Sequence, residues 1–382
     1  MVIIGAGHAG VQAAASLRQQ GYEAAVTIVS DEQRLPYHRP PLSKELLSGG
    51  DPLALRPESF YADQQVTLLR GTRAQAIDRG AAAVVLHDGT RLPYDQLILA
   101  TGSRPRRLAL PGVELSGVQL LRVLDDGLAL REQLRSGSRL TVIGGGFIGL
   151  EVAAAAVSAG LEVTVVEALT RVLARVCSRP TAAHIEAVHR AWGVDLRLGA
   201  GVARLLGDSA GRVCAVELSS GERIDSDTVL IGVGAQANAE LAAAAGLELD
   251  GGVVVDATLR TADPRIWAIG DCASFPLGAA ATRRRLESVQ NATDHARSVA
   301  ASIVAEPQPY TALPWFWSYQ NDCRLQIAGL IDGHDRTELI GDPSAGSFSV
   351  HCYAGQTLLG VESVNAPREH VAARRLLSGE GA

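Results

Sequence analysis

Two copies of one pattern constrain this chain more than anything else in it. Val2-Ile3-Ile4 enters Gly5-Ala6-Gly7-His8-Ala9-Gly10 and then an Ala-rich segment. Much later, Leu140-Thr141-Val142-Ile143 enters Gly144-Gly145-Gly146-Phe147-Ile148-Gly149 and a second Ala-rich segment. Each is a short apolar run opening into GxGxxG and good helix formers. Gly21 and Gly160 stop these helices, and apolar runs at Ala25–Val29 and Val163–Val166 follow. Strand–helix–strand is the order of a parallel unit, and here it occurs twice. Each half closes on another apolar run with a Gly turn, Leu97–Ala100 before Thr101-Gly102 and Thr228–Gly232 before Gly234. Alternating stretches, Ala83–His87 before Asp88-Gly89 and Val213–Leu218 before Ser220-Gly221, predict hairpins in between. From about residue 308 the texture becomes aromatic and strand-like, which predicts a third, α+β domain.

The steric logic of GxGxxG points to nucleotides. The first Gly allows the tight turn, the second lets backbone approach a pyrophosphate, and the third lets helix and strand pack closely. An acid follows where the second strand of each unit ends, Asp31 and Glu167, suited to ribose hydroxyls. Two such sites suggest two dinucleotides, FAD with a nicotinamide cofactor. Glu167 favours NADH, since a carboxylate repels a 2′-phosphate, although Arg171 and Arg175 stand close behind it. Trp267-Ala268-Ile269-Gly270-Asp271-Cys272 offers a further carboxylate after an apolar run, like the ribityl-binding element of flavin oxidoreductases.

Composition excludes several classes. The chain of 382 residues is 47% apolar, which is globular rather than disordered, and its formal charge of −6 argues against a dedicated nucleic-acid binder. The five cysteines (177, 214, 272, 323 and 352) form no CxxC, so neither a redox dithiol nor a zinc ribbon is expected. They read as packing thiols of a reducing compartment. The nine histidines show no metal-ligand spacing, and no metal site is expected. Met1 leads directly into the first strand, and no run of about 18 apolar residues occurs, so the expectation is a cytoplasmic protein with no membrane span. His8 reads as a variable loop position, Cys272 as a packing thiol and Trp315 as core.

Further motifs are more specific: Pro40-Pro41-Leu42-Ser43-Lys44, Leu99-Ala100-Thr101-Gly102, Gly144 through Glu151, Ile269-Gly270-Asp271-Cys272, Glu287 through Ala292, and Trp315-Phe316-Trp317-Ser318. With them the sequence resembles, over essentially its whole length, the FAD-dependent, NADH-using ferredoxin reductases of the putidaredoxin reductase type. These serve cytochrome P450s and Rieske dioxygenases. The resemblance implies an α/β fold with two Rossmann-like, glutathione-reductase-type domains and a C-terminal α+β domain. It divides the chain into a discontinuous FAD domain (1–107 and 235–307), an NADH domain (108–234) and a C-terminal domain (308–382).

The resemblance also implies residue roles. Gly5, Gly7, Ala9, Gly10 and Asp31 would bind the FAD adenosine and pyrophosphate, with Thr101 and Gly102 on the closing turn. Arg39 and Arg122 would reach phosphates, Ala74 the adenine, Asp271 the ribityl chain, Val289 the flavin pyrimidine edge and Trp317 the isoalloxazine. Gly144, Gly146, Ile148, Gly149, Glu167 and Gly234 would bind NADH. Lys44 and Glu151 would form an ion pair beside flavin N5, Lys44 stabilising negative charge arriving on the flavin and Glu151 orienting it. Hydride would pass from NADH to the flavin, and single electrons to a 2Fe–2S ferredoxin feeding a P450 or other oxygenase.

An acidic ferredoxin would dock on basic side chains, Arg283 and Arg284 beside Arg285, or Arg374 and Arg375. A monomer suffices for such a reductase. Three departures from the family stand out. Tyr319 replaces the usual Asp, Ala237 stands where a Pro-Asn pair begins and should loosen that loop, and Ala382 ends the chain short of the usual C-terminal extension, with part of a docking surface. Related architectures remain as alternatives. NADH oxidases and disulfide reductases need an early reactive cysteine, absent before Cys177. Redox-sensing flavoproteins of the apoptosis-inducing-factor type share Pro-Pro-Leu-Ser-Lys, and Trp315-Phe316-Trp317 favours the reductase over them.

Overall fold

A computed structural model describes residues 1–278 and 282–379. By packing, the chain falls into two compact units. One comprises Met1–His38, Leu53–Arg104 and Ala235–Ala312; the other comprises Arg39–Pro52, Pro105–Gly234 and Leu313–Ala382. Residues 39–52, placed with the first half on sequence grounds, therefore pack with the second unit. The same unit takes in the C-terminal segment.

The first unit is built on a five-stranded parallel sheet in the order Ile266–Ala268, Leu97–Leu99, Val2–Ile4, Val26–Val29, Val66–Leu69. Its central strands are buried throughout, as apolar runs of this kind require when helices cover both faces. Helices His8–Gln19 and Val289–Val304 contribute Ala13, Ala14, Leu17, Ala296 and Val299 to that core.

The second unit repeats the design. Its sheet runs Asp195–Leu198, Glu162–Glu167, Arg139–Ile143, Thr228–Ile231, Val118–Gln119, again all parallel. Ala-rich helix Phe147–Ser158 follows the central strand. Each unit also carries the expected hairpin, Ala83–Leu86 with Arg91–Pro93 in one and Val213–Leu218 with Arg223–Asp225 in the other, and a further strand, Ala74–Asp78 or Val202–Gly207, extends each into an antiparallel meander.

One topological difference separates the copies. The fifth strand of the first sheet, Ile266–Ala268, comes from far downstream, whereas that of the second, Val118–Gln119, precedes its glycine motif. A contiguous half and a discontinuous half thus share one architecture.

The C-terminal segment forms an antiparallel sheet ordered Trp315–Gln320, Cys323–Gly329, Thr357–Val364, Ser347–Ala354, Arg336–Asp342. Helix Pro367–Ser378 packs on it through Ala373. Leu325, Ile327, Phe348 and Val350 of the sheet share a core with Leu150 and Ile185 of the preceding helices. The tail is thereby anchored beside the second glycine motif, within the same unit.

Candidate functional site

The two glycine motifs have matching geometry. A Cβ on Gly5 would lie 2.1 Å from the Ala100 carbonyl oxygen, and one on Gly144 would lie 2.4 Å from that of Gly232. Both residues also have positive φ, +109° and +110°. A Cβ on Gly10 or Gly149 would strike the carbonyl of the first glycine, at 1.9 and 2.3 Å. Gly7 and Gly146 behave in the opposite way, because nothing lies within 4 Å of a Cβ on either. They are the N-caps of helices His8–Gln19 and Phe147–Ser158, neither helix has a side-chain cap, and neither has an acid in its first turn. A helix N-terminus without a side-chain cap or a first-turn acid, with open space beside the middle glycine, suits a pyrophosphate. Ile148, in the first turn of the second helix, is 46% exposed, an apolar surface a nicotinamide nucleotide would cover. Both cradles therefore fit dinucleotides.

The acids differ. Glu167 is the last residue of its strand, and its carboxylate accepts from Gly145 N–H (2.7 Å) and Leu169 N–H (2.8 Å). It is held against the glycine loop, and its crowding explains why position 145 is glycine. Asp31 instead lies two residues beyond its strand, which ends at Val29, and stands exposed. The first acid is thus displaced from the position the sequence suggested. Arg171 donates to the Cys177 and Ala174 carbonyls, at 2.9 and 2.8 Å, which commits it to its own loop.

Other residues of the first unit cluster on the returning segment. Gly270 has φ +68°, and its Cβ position lies 3.1 Å from the Ala9 side chain, so the Gly270–Cys272 turn sits on the start of the first helix. Asp271 on that turn accepts from Ser103 Oγ at 2.8 Å. Gly270 N–H donates to Nδ1 of fully buried His295 (3.2 Å), a residue the sequence reading passed over. Burial pushes His295 down to about 3, so the ring is neutral and its Nδ1 accepts. Asn238 hydrogen-bonds Thr101 and Arg104 through its side chain and Gly102 through its backbone. The loop after Ala237 is consequently tied down rather than loosened. Ala74 begins a strand and is buried, and Val289 is the first residue of its helix.

The remaining predicted residues lie in the second unit. Gly234 has φ +100° and its carbonyl accepts from Arg106 N–H. Arg39 donates to the Arg122 carbonyl at 2.9 Å. The short helix Pro40–Ser43, preset by two prolines, ends at Lys44. Lys44 Nζ lies 2.6 Å from Glu151 Oε2, and the two side chains are only 16% and 3% exposed. Ser43 Oγ also donates to Oε2 (2.5 Å), and Ser318 Oγ donates to Oε1 (2.7 Å). The two serines were visible only as members of motifs. Trp317 belongs to a run of rings, Phe147–Phe316 at 4.5 Å, Phe316–Trp317 at 6.5 Å and Trp315–Trp317 at 5.3 Å between centroids.

The basic residues divide. Arg283 donates to the Val255 and Ser274 carbonyls, and Arg285 pairs with Glu287 and donates to the Asp271 carbonyl. These two guanidinium groups are used by the fold. Arg284 is half-buried, whereas Arg374 and Arg375 are exposed on the last helix, Arg374 lying 4.6 Å above the Trp315 ring. Burial pushes the thiols of Cys177, Cys272, Cys323 and Cys352 up, the last two to about 12. All five cysteines are unpaired. Among the described residues no group of three or more His, Cys, Asp or Glu is placed to hold a metal ion. No described helix is long and apolar enough to cross a membrane.

Comparison with known proteins places this geometry in context. The family model described as pyridine nucleotide-disulphide oxidoreductase matches residues 1–296, and the model described as reductase C-terminal matches 315–381. The chain is 48% identical to rhodocoxin reductase of Rhodococcus erythropolis, over 100% of this chain and 90% of that one. It is 41% identical to putidaredoxin reductase CamA of Pseudomonas putida, over 99% and 91%. Among solved structures, the ferredoxin reductase for the CYP199A2 system from Rhodopseudomonas palustris matches with a TM-score of 0.96 and 45% identity, covering 98% of this chain and 93% of that one. The covalent putidaredoxin reductase–putidaredoxin complex matches with a TM-score of 0.95 and 41% identity, covering 98% and 92%.

Proposed function

The chain belongs to the pyridine nucleotide-disulphide oxidoreductase family, and from that premise we propose that it is an NADH-dependent FAD enzyme that reduces a 2Fe–2S ferredoxin feeding a P450 or another oxygenase. One observation carries this reading over the disulfide-reducing branch. No cysteine precedes Cys177, so none stands on the first glycine motif or on Pro40–Lys44 to supply the thiol that branch uses, and all five are unpaired. An external carrier is then the outlet for the electrons. The relatives named for rhodocoxin, putidaredoxin and ferredoxin agree with a carrier of that kind.

FAD, when bound, supplies a hydride acceptor that gives up electrons singly. The protein's part is orientation and charge. The N–H groups beside Gly7 hold one pyrophosphate, with Gly5, Ala9, Gly10, Thr101 and Gly102 shaping the turn and Asp31 and Asp271 accepting from hydroxyls. Ala74, Val289, Trp317, Arg39 and Arg122 keep the FAD contacts the family resemblance gives them. Gly144, Gly146, Ile148, Gly149 and Gly234 shape the second cradle, where Glu167 accepts from ribose. Glu167 meets a 2′-phosphate with a carboxylate and Arg171 is engaged with carbonyls, which favours NADH, exposed Arg175 being the cation left nearby in the sequence. Lys44, kept in place by buried Glu151, supplies positive charge to the reduced flavin.

For the partner, the exposed Arg374 and Arg375, with Arg284, steer an acidic ferredoxin. Arg283 is reassigned to structure. One copy of the chain suffices for this cycle, and free thiols throughout fit a cytoplasmic location.

The test mixes the flavoprotein with NADH and cytochrome c, with and without a 2Fe–2S ferredoxin. Reduction that depends on the ferredoxin is expected. Equal rates without it, or rapid peroxide formation without any carrier, would replace this reading with an oxidase.

A further inference from the structure

Glu151 is 4% exposed yet is hydrogen-bonded on both carboxylate oxygens, and one of those bonds opens a chain that hydride transfer does not itself require. Ser318 and Gln320 lie two apart on the strand Trp315–Gln320, so both face its buried side, at 0% and 1% exposure. Tyr319 between them points outward at 39%. A two-residue turn with Asn321 at φ +50° returns the chain to Cys323 and fixes the register of this hairpin.

Beyond Ser318, each orientation follows from the one before. The Glu151 carboxylate can only accept, so the single Ser318 hydroxyl proton goes to Oε1 at 2.7 Å. The Ser318 oxygen must then accept, and it does so from Gln320 Nε2 at 3.1 Å. That leaves Gln320 Oε1 to accept from His189 Nε2, 2.7 Å away on the helix Arg179–Ala191. His189 is itself 1% exposed, and burial holds it below its ordinary value, in keeping with a neutral ring donating from Nε2. Every donor along the chain points toward Glu151, so dipoles converge on the carboxylate from the side opposite Lys44.

We propose that Ser318, Gln320 and His189 are positioning residues for the Lys44–Glu151 pair, a one-way relay by which the C-terminal sheet fixes the carboxylate that holds Lys44. This rests on the reading of Lys44–Glu151 as the flavin's charged partner. The charged and titratable groups facing Glu151 are Lys44 from the Pro40–Ser43 turn and, at the end of the relay, His189. The strand itself contributes only a hydroxyl and an amide. The relay gives the C-terminal sheet a task in hydride transfer, separate from any partner it meets.

The test uses the full-length chain as Ser318→Ala, Ser318→Thr, Gln320→Met and Glu151→Gln. Two readouts apply. The first is the Glu151 carboxylate stretching band in cofactor-free protein, obtained as the infrared difference between each variant and Glu151→Gln. The second is the rate of flavin reduction by NADH in the holoenzyme. Ser318→Ala should shift the band and slow reduction by roughly 10- to 100-fold, the range a displaced reacting group produces. Gln320→Met should act in the same direction with a smaller shift, and Ser318→Thr, which keeps the hydroxyl, should return both toward wild type. Gln320→Met leaves the Ser318 hydroxyl in place and decides the matter if Ser318→Ala does not fold. Wild-type band and rate in either Ser318→Ala or Gln320→Met would overturn the relay. If Glu151→Gln alone reduces flavin at the wild-type rate, the reading of the ion pair fails instead.

Discussion

The two glycine motifs solve one steric problem and then diverge in how they are completed. In both, the first and third glycines are forced by carbonyls within 2.4 Å of a would-be Cβ, and the middle one faces open space. The second motif is finished locally. Glu167, at the end of the next strand, reaches back to the loop N–H of Gly145. The first is finished remotely. Its own strand end offers only exposed Asp31, and the turn carrying Asp271 arrives from far downstream on the strand Ile266–Ala268. Three residues past the fifth strand stands Asp271 in one sheet and Arg122 in the other, so equivalent places carry opposite charge. The two copies thus share a cradle and differ in what completes it.

The largest effect should come from breaking the shared part. Gly5→Ala and Gly144→Ala each add a Cβ onto a carbonyl at positive φ, which costs several kcal/mol of the roughly 5–15 kcal/mol that hold a domain folded. Gly5→Ala should yield colourless, poorly folded protein. Gly144→Ala should leave FAD absorbance in place while abolishing NADH-dependent reduction. Gly7→Ala and Gly146→Ala, which meet no protein atom, should melt near the wild-type temperature and lose only FAD or only NADH affinity. Equal melting temperatures for Gly5→Ala and Gly7→Ala would show that the steric distinction between the glycines does not hold.

A smaller effect should sharpen the difference in completion. Glu167→Gln keeps the shape and can still accept from Gly145 N–H through its amide oxygen, but it removes the charge that repels a 2′-phosphate. The Michaelis constant for NADH should rise by about 10-fold, close to the lower end of the about 1.5–3 kcal/mol that a hydrogen bond to a charged group contributes. NADPH should gain relative to NADH. Asp31→Asn, at an exposed position outside its strand, should change FAD retention less than Glu167→Gln changes NADH binding. Steady-state kinetics with both nucleotides and flavin-release measurements check the pair.

What the sequence disclosed follows the same division. The glycine spacing, strand–helix–strand order and hairpins were legible because period and turn chemistry are local. The position of Asp31 was misjudged by two residues, since an acidic pair after an apolar run does not say which residue ends the strand. The run Arg283-Arg284-Arg285 looked like a docking patch because sequence displays charge and conceals partners. The carbonyls of Val255, Ser274 and Asp271 that occupy two of these arginines come from other segments. Ser318 and Gln320 escaped notice for a similar reason. Their alternation with Tyr319 marks a half-buried strand, but Glu151 and His189, the groups they join, lie more than 130 residues away.

The smallest expected effect tests the remote completion of the first site through pH. His295 fixes Gly270 by accepting at Nδ1, and burial holds it near 3, below the ordinary value of 6.5. A histidine depressed in the folded state contributes stability that is fully present above about 6.5 and is lost as the pH falls toward about 3, because the unfolded chain binds the proton first. Acidification through that window should therefore loosen the turn carrying Asp271 and release FAD, seen as a rise in free-flavin fluorescence. His295→Asn offers a carbonyl oxygen that can accept from Gly270 N–H and does not titrate, so its release curve should be flatter across the same range. The corresponding turn of the second site, after Val118–Gln119, carries Arg122, whose guanidinium keeps its charge across this range. NADH affinity in His295→Asn should accordingly follow the wild-type pH dependence, and a parallel change in both nucleotides would mean that the two sites do not differ in how they are held.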